Sequence, residues 1–194
     1  GAPGGQEHSI AGHIVARQEF AGYWKYVLDE AIFTAPAHPH WGGAPVIDMK
    51  GTLIGIGSLQ LQSTSAQGEE LPINMSIPID LLHPILDDLK KMGRADRPVR
   101  PWLGLYSADI DGEVVVLGLA RNGPAVLAGV DAGDIVVSVA GEEILDLADF
   151  YRKVWRLGEA GVDVPIAVAR AEGVANITIQ SGDRSALLKK PLFH

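Results

Sequence analysis

Two short apolar runs, Val46-Ile47 and Leu53-Ile54-Gly55-Ile56, flank the polar turn Asp48-Met49-Lys50-Gly51. Runs this short, bounded by a glycine-closed turn, read as the two strands of a hairpin; an amphipathic helix needs a longer stretch at 3.6-residue spacing. A small-residue turn, His40-Trp41-Gly42-Gly43-Ala44-Pro45, leads into the first of them. The rest of the chain is organised around this hairpin signal.

The flanking sequence extends that pattern. Residues 9–17 and 18–26 read as two strands about a turn at Gly22, and residues 60–70, rich in Ser, Thr and Gln, as a surface loop. Residues 71–78 read as another strand. Asp80 is placed to cap a helix whose apolar stripe is Leu81, Leu82, Ile85, Leu86, Leu89 and Met92, with Gly93 as its stop. The charged, proline-punctuated stretch 94–101 has no apolar period and reads as a linker. Beyond it come short strand candidates at 103–106, 114–119, 135–139, 164–169 and 176–180. One helix, 146–157, turns Leu147, Phe150, Tyr151, Val154 and Trp155 inward.

Composition narrows the function classes. The 194 residues are 47% hydrophobic, enough for one or two compact cores, and the net charge of -8 repels phosphate backbones, so no nucleic-acid partner is expected. With no cysteine there can be no disulfide, thiolate zinc site or Cys nucleophile. The longest apolar run, 114–120, falls far short of the roughly 20 residues a membrane span needs. The start at Gly1, with neither an initiating Met nor a signal peptide, suggests a processed or truncated piece of a longer protein. His38 and His40 have an H-x-H spacing that some zinc sites use, with Asp48 as a third donor, but histidines in a proline-rich loop are more often solvated. No metal and no cofactor are expected.

The segment from His40 to Ser58 resembles the nucleophile region of HtrA/Deg-type trypsin-like serine proteases, G-N-S-G-G-P followed by D/N-G and a V-I-G-I run. Set without gaps on Pro45, the family's nucleophilic Ser falls on Gly42, its Asn on Trp41 and its first Gly on His40. Ser9-Ile10-Ala11-Gly12-His13-Ile14-Val15-Ala16 looks like the family's S-G-I-V-S strand, and Val27-Leu28-Asp29-Glu30-Ala31-Ile32 like Q-T-D-A-A-I. Residues 33–39 are an insertion relative to the family. The resemblance implies that the backbone N–H groups of His40 and Gly42 would form the oxyanion donors, that Gly42 leaves the nucleophile position vacant, and that the family's His and Asp would lie on an N-terminal lobe outside this chain.

Gly123-Pro124-Ala125-Val126-Leu127-Ala128-Gly129-Val130-Asp131-Ala132-Gly133-Asp134-Ile135 is similar to the S-P-A-x-x-A-G-L-x-x-G-D-x-I signature of bacterial-protease PDZ domains. Trp102-Leu103-Gly104-Leu105 matches their Y-L-G-I carboxylate loop. The resemblance implies a peptide site formed by Trp102, Leu103, Gly104 and Leu105, faced by Phe150 and Val154; the alternative is that Phe150 and Trp155 are ordinary core residues.

The fold expected is therefore mainly β: the C-terminal β-barrel lobe of a trypsin-like, chymotrypsin-fold protease (1–93), a linker (94–101), a PDZ domain (102–183) that is a small β-barrel with a helix, and a tail (184–194). Three functions follow from it. One is an inactive HtrA-like homologue that recognises peptides, unfolded segments or protein C-termini through its PDZ domain. Another is a C-terminal fragment of an active serine endopeptidase of protein quality control, and the third is an assembly module. A half-barrel alone would expose a wide apolar face, so either homo-oligomer formation through that face or a missing barrel that covers it is expected. The family points to a periplasmic or secreted setting.

Overall fold

The computed structural model describes residues 6–23, 26–64 and 68–187. Contact density divides the chain into two units, Gly1–Phe20 with Leu28–Asp96, and Ala21–Val27 with Arg97–His194.

Strands β1 (His13–Gly22), β2 (Tyr26–Ala35), β3 (Pro45–Ile47), β4 (Leu53–Thr64) and β5 (Glu70–Pro78) form one sheet in the order β1-β2-β5-β4-β3. The expected hairpin is present, with Pro45 opposite Ile56, Val46 opposite Gly55 and Ile47 opposite Leu53. Asp48 sets its turn by accepting the N–H groups of Lys50 and Thr52 on one carboxylate oxygen, at 2.8 and 2.9 Å.

Three expectations are corrected. First, the β1 strand runs through Gly22, and the turn follows it. Second, residues 60–64 are strand, pairing with 70–74. The alternation Leu59-Gln60-Leu61-Gln62 keeps Leu59 and Leu61 half-buried and the glutamines exposed, the period-2 pattern of a one-sided strand. Third, Asp80 caps nothing. Two 3₁₀ turns, Ile79–Leu81 and His83–Ile85, precede an α-helix, α1, confined to Leu86–Met92. Pro84 lacks the N–H that would bond back to residue 80 and disfavours helical backbone at His83, so the ladder begins only beyond it. Gly93 does end α1, in the left-handed conformation, with its N–H on the Leu89 carbonyl.

The second unit carries β6 (Leu105–Ile110), β7 (Glu113–Leu119), α2 (Pro124–Ala128), β8 (Ile135–Val139), β9 (Glu142–Glu143), α3 (Leu147–Arg156), β10 (Asp163–Arg170) and β11 (Gly173–Gln180). Its antiparallel sheet has the order β11-β10-β8-β7-β6, with β9 on β8. Helix α3 begins where the sequence indicates: Asp146 is its N-cap and accepts the Asp149 N–H at 2.7 Å. Leu103, Leu105, Val116, Val139, Phe150, Tyr151, Val154, Val164 and Ile179 belong to one buried cluster between sheet and helices. Ala21 and Val27 pack against the same cluster, and the Tyr151 hydroxyl donates to the Tyr23 carbonyl at 3.3 Å. The fold is mainly β, in two antiparallel sheets.

Candidate functional site

The turn before β3 is fixed by its glycines. Ala44 N–H donates to the Trp41 carbonyl at 3.0 Å, with Gly43 at φ +78° in the third position, the arrangement of a type II turn. Two further bonds fasten the turn to β4, Gly43 N–H to Gly57 carbonyl and Gly57 N–H to Ala44 carbonyl, at 2.9 and 2.8 Å. Gly42 projects from this turn exposed, and a Cβ built on it meets no atom within 4 Å.

The oxyanion donor pair implied by the resemblance is incomplete. The His40 N–H donates to Nδ1 of His38 at 3.0 Å, so it does not face an incoming oxygen. His38 Nε2 in turn donates to the His8 carbonyl at 2.7 Å. Both ring nitrogens of His38 are thereby engaged, which removes it as a metal ligand, and Asp48 is occupied with its own turn. Among the described residues no group of three His, Asp or Glu is arranged to hold a metal ion.

The loop 102–105 is built differently. Trp102 forms a bridge with Gly182, its N–H on the Gly182 carbonyl at 3.0 Å and its carbonyl taking the Gly182 N–H at 2.8 Å. The carbonyls of Leu103 and Gly104 accept from Ala125 and Ala120, both at 2.7 Å. Their own N–H groups donate to no acceptor among the described residues, although Leu103 is only 1% exposed. Gly104 stands at φ +77°, and a Cβ there would lie 3.1 Å from Gly123 Cα and Pro124 Cδ. Only glycine lets the chain pass this close while the loop is tied down on its carbonyl side.

This loop opens directly into β6, which among the described residues pairs with β7 alone and has no strand on its other edge. Phe150 and Val154, expected as a facing wall, are 0% and 2% exposed and lie in the core cluster with Leu103 and Leu105. They are core residues packed in one cluster with the loop's leucines and do not form an open wall.

Two carboxylates shape this unit: Asp109, which the sequence reading did not single out, and Asp134, the Asp of the quoted signature, whose distant partner it did not foresee. Asp109, near the end of β6, accepts the Leu147 N–H at 3.1 Å and so joins the edge strand to the start of α3. Burial pushes its carboxyl above the usual range; the Leu147 bond opposes that shift and neighbouring Asp146 adds to it. Asp134 accepts a two-point grip from Arg170, Nε and one terminal nitrogen each at 2.7 Å, and takes the Asp131 N–H at 3.0 Å. The Arg170 guanidinium holds the Asp134 carboxyl below the usual carboxylate range, against its desolvation. The partners in each pair are more than 30 residues apart, so no local pattern announces them.

A six-stranded antiparallel sheet with one ten-residue helix, and a glycine-hinged loop leading into an edge strand, is the architecture of a PDZ-type domain. Residues 101–180 match the family profile described as a PDZ domain. Over nearly its whole length the chain is homologous to the HtrA/DegP serine proteases. It is 28% identical to "Protease Do-like 1, chloroplastic" of Arabidopsis thaliana over 199 residues, covering 92% of this chain and 44% of that protein. It is 27% identical to a "Probable periplasmic serine endoprotease DegP-like" of Halomonas elongata over 202 residues, covering 94% and 40%. Among solved structures, "HtrA-type protease AlgW with decapeptide" is 25% identical, with a TM-score of 0.49 over 80% of this chain and 50% of that one. The chain thus spans less than half the length of these curated relatives.

Proposed function

We propose that this chain is a peptide-recognition protein whose protease-like lobe does not cut. The second unit takes an extended polypeptide as an added strand on the β6 edge, and the N–H groups of Leu103 and Gly104 collect its terminal carboxylate. The observation that carries this reading is that pair of N–H groups in a buried loop, left without acceptors while both carbonyls are satisfied. A buried N–H without a partner costs roughly 1–3 kcal/mol, which a bound carboxylate recovers. Trp102, Leu105, Phe150 and Val154 shape the ground beneath the ligand's last side chain.

Absence of cleavage is supported by Gly42, which offers no oxygen for attack, and by the engagement of the His40 N–H with His38. The relatives' names place them in the periplasm or the chloroplast, and a periplasmic or secreted setting with unfolded segments or protein C-termini as partners is the reading they favour here. Homo-oligomer formation would cover apolar side chains such as Ile47, Leu71 and Leu81, which are half exposed or more.

The test is a titration of the full chain with a fluorescent peptide ending in a free apolar carboxylate, beside the same peptide amidated. Tighter binding of the free acid by tenfold or more is expected, with no cleavage of unfolded casein. Equal affinity for the two peptides would overturn the carboxylate role. Casein cleavage blocked by a serine-directed phosphonate would overturn the inactive lobe and favour a working endopeptidase.

A further inference from the structure

The chain is acidic overall, yet four of its nine arginines converge on one pocket. Arg97 and Arg100 stand on the extended segment before the carboxylate loop, Arg152 and Arg156 on α3, and Val99 and Trp155 lie between them around a cavity of about 510 Å³. We propose that this pocket is a second polypeptide-binding site, taking a segment rich in Asp and Glu. It is independent of the β6 edge, because none of its lining residues belongs to the 102–105 loop.

Three features make the pocket a built one. Its aromatic floor is fixed: the Trp155 indole stacks on Tyr151 with centroids 5.8 Å apart and planes 14° from parallel. The Arg100 guanidinium carbon lies 3.9 Å from the Trp155 ring centroid, a cation–π contact that holds the arginine in place. The extended wall is fixed as well, since Pro98 and Pro101 restrict its backbone and the Val99 carbonyl accepts the Ala160 N–H at 2.8 Å. Side chains held in advance lose less entropy when a ligand arrives.

The chemistry of the site selects the ligand. Arg152 and Arg156 are one helical turn apart, about 5–6 Å between Cβ atoms, a like-charge spacing that disfavours the isolated helix by a few tenths of a kcal/mol. The partner of Arg156, Glu142 at 3.2 Å, forms an exposed pair of the kind that adds little. Guanidinium groups spread over two walls match several carboxylates along a chain better than one compact anion. A long polyanion such as nucleic acid would meet the repulsion of the remaining chain, whereas a short acidic segment concentrates its charge in the pocket.

The experiment is fluorescence anisotropy of the full chain with a labelled, C-terminally amidated decapeptide of alternating Glu and Gly. The Gln–Gly peptide and a single-stranded oligonucleotide of equal charge serve as comparisons. The Glu peptide is expected to bind at least tenfold tighter than either, and to weaken steeply between 50 and 300 mM salt. The pair Arg152→Gln, Arg156→Gln is expected to weaken it tenfold or more, and the pair Arg97→Gln, Arg100→Gln to do the same from outside any helix. Both double variants should keep the affinity of a neutral peptide with a free C-terminus, which reads the carboxylate loop alone. Equal binding of the Gln peptide, tighter binding of the oligonucleotide, or unchanged Glu-peptide affinity in a folded Arg97→Gln, Arg100→Gln variant would each overturn the proposal.

Discussion

Gly42 is a position where a side chain would fit and chemistry would still be missing. Its backbone is not left-handed, and its Cβ direction is open for 4 Å. Gly42→Ser should therefore change stability by no more than about 0.5 kcal/mol, as exposed substitutions usually do. It should also leave a fluorogenic peptide uncut, because the His40 N–H stays on His38 and does not turn toward an oxyanion. Thermal melts and a cleavage assay decide the point together. Gly104 behaves in the opposite way. Left-handed backbone costs an L-residue about 1–2 kcal/mol, and the approach of Gly123 and Pro124 adds to that. Gly104→Ala should lower unfolding free energy by about 2 kcal/mol and weaken peptide binding, measured by urea melts and anisotropy. At this scale the sequence made both glycines visible, Gly42 in the small-residue turn before Pro45 and Gly104 in Trp102-Leu103-Gly104-Leu105. It could not tell that Phe150 and Val154 are fully buried, because a helix stripe that lines a groove and one that fills a core have the same spacing.

Elements were legible where local chemistry sufficed. Helix α3 has its own cap at Asp146, its apolar period and no proline, and it lies within a residue of where the sequence places it at each end. The region 79–92 has the same period but contains Pro84, and one missing N–H shortens the α-helix to seven residues. Long-range polar pairs are a different matter. Asp134 and Arg170 join the start of β8 to the end of β10, and Arg170 also donates to the Gly129 carbonyl at the end of α2, at 2.8 Å. The Asp134 carboxyl titrates lower in the folded chain than in the unfolded one. Its contribution is therefore complete above the unfolded value, near 4, and is lost as pH falls from there through the folded value. Urea melts at pH 7 and pH 3 should show the wild-type second unit losing stability, and Asp134→Asn should be weaker at pH 7 but lose less between the two. An unchanged pH slope in the variant would show that other carboxylates carry the acid sensitivity.

At the scale of the molecule, the two units differ in how much they bury. In the first, the buried apolar residues are Leu28, Ala31, Ile32, Phe33 and Met75, on one sheet that also buries Asn74 and Ser76. The second has a continuous cluster of sixteen buried residues between sheet and helices. Burial of apolar area is the main favourable contribution to folding, so the second unit should melt at the higher temperature. Calorimetry of the intact chain is expected to show two transitions. The boundary also supplies its own probe. Arg97 and Arg100 are each followed by proline, which trypsin does not cut, so the susceptible bonds nearest the boundary follow Lys90, Lys91 and Arg94. Those residues are exposed, and α1 buries none of its own. Limited trypsin digestion should therefore release a fragment beginning near residue 95 that keeps a cooperative melt. Its midpoint should fall below that of the upper transition of the intact chain, because Ala21 and Val27, which pack on the same core, leave with the other fragment. A fragment as stable as the intact upper transition would show that those two contacts contribute nothing. A single cooperative transition in the whole chain would show that the two units fold as one.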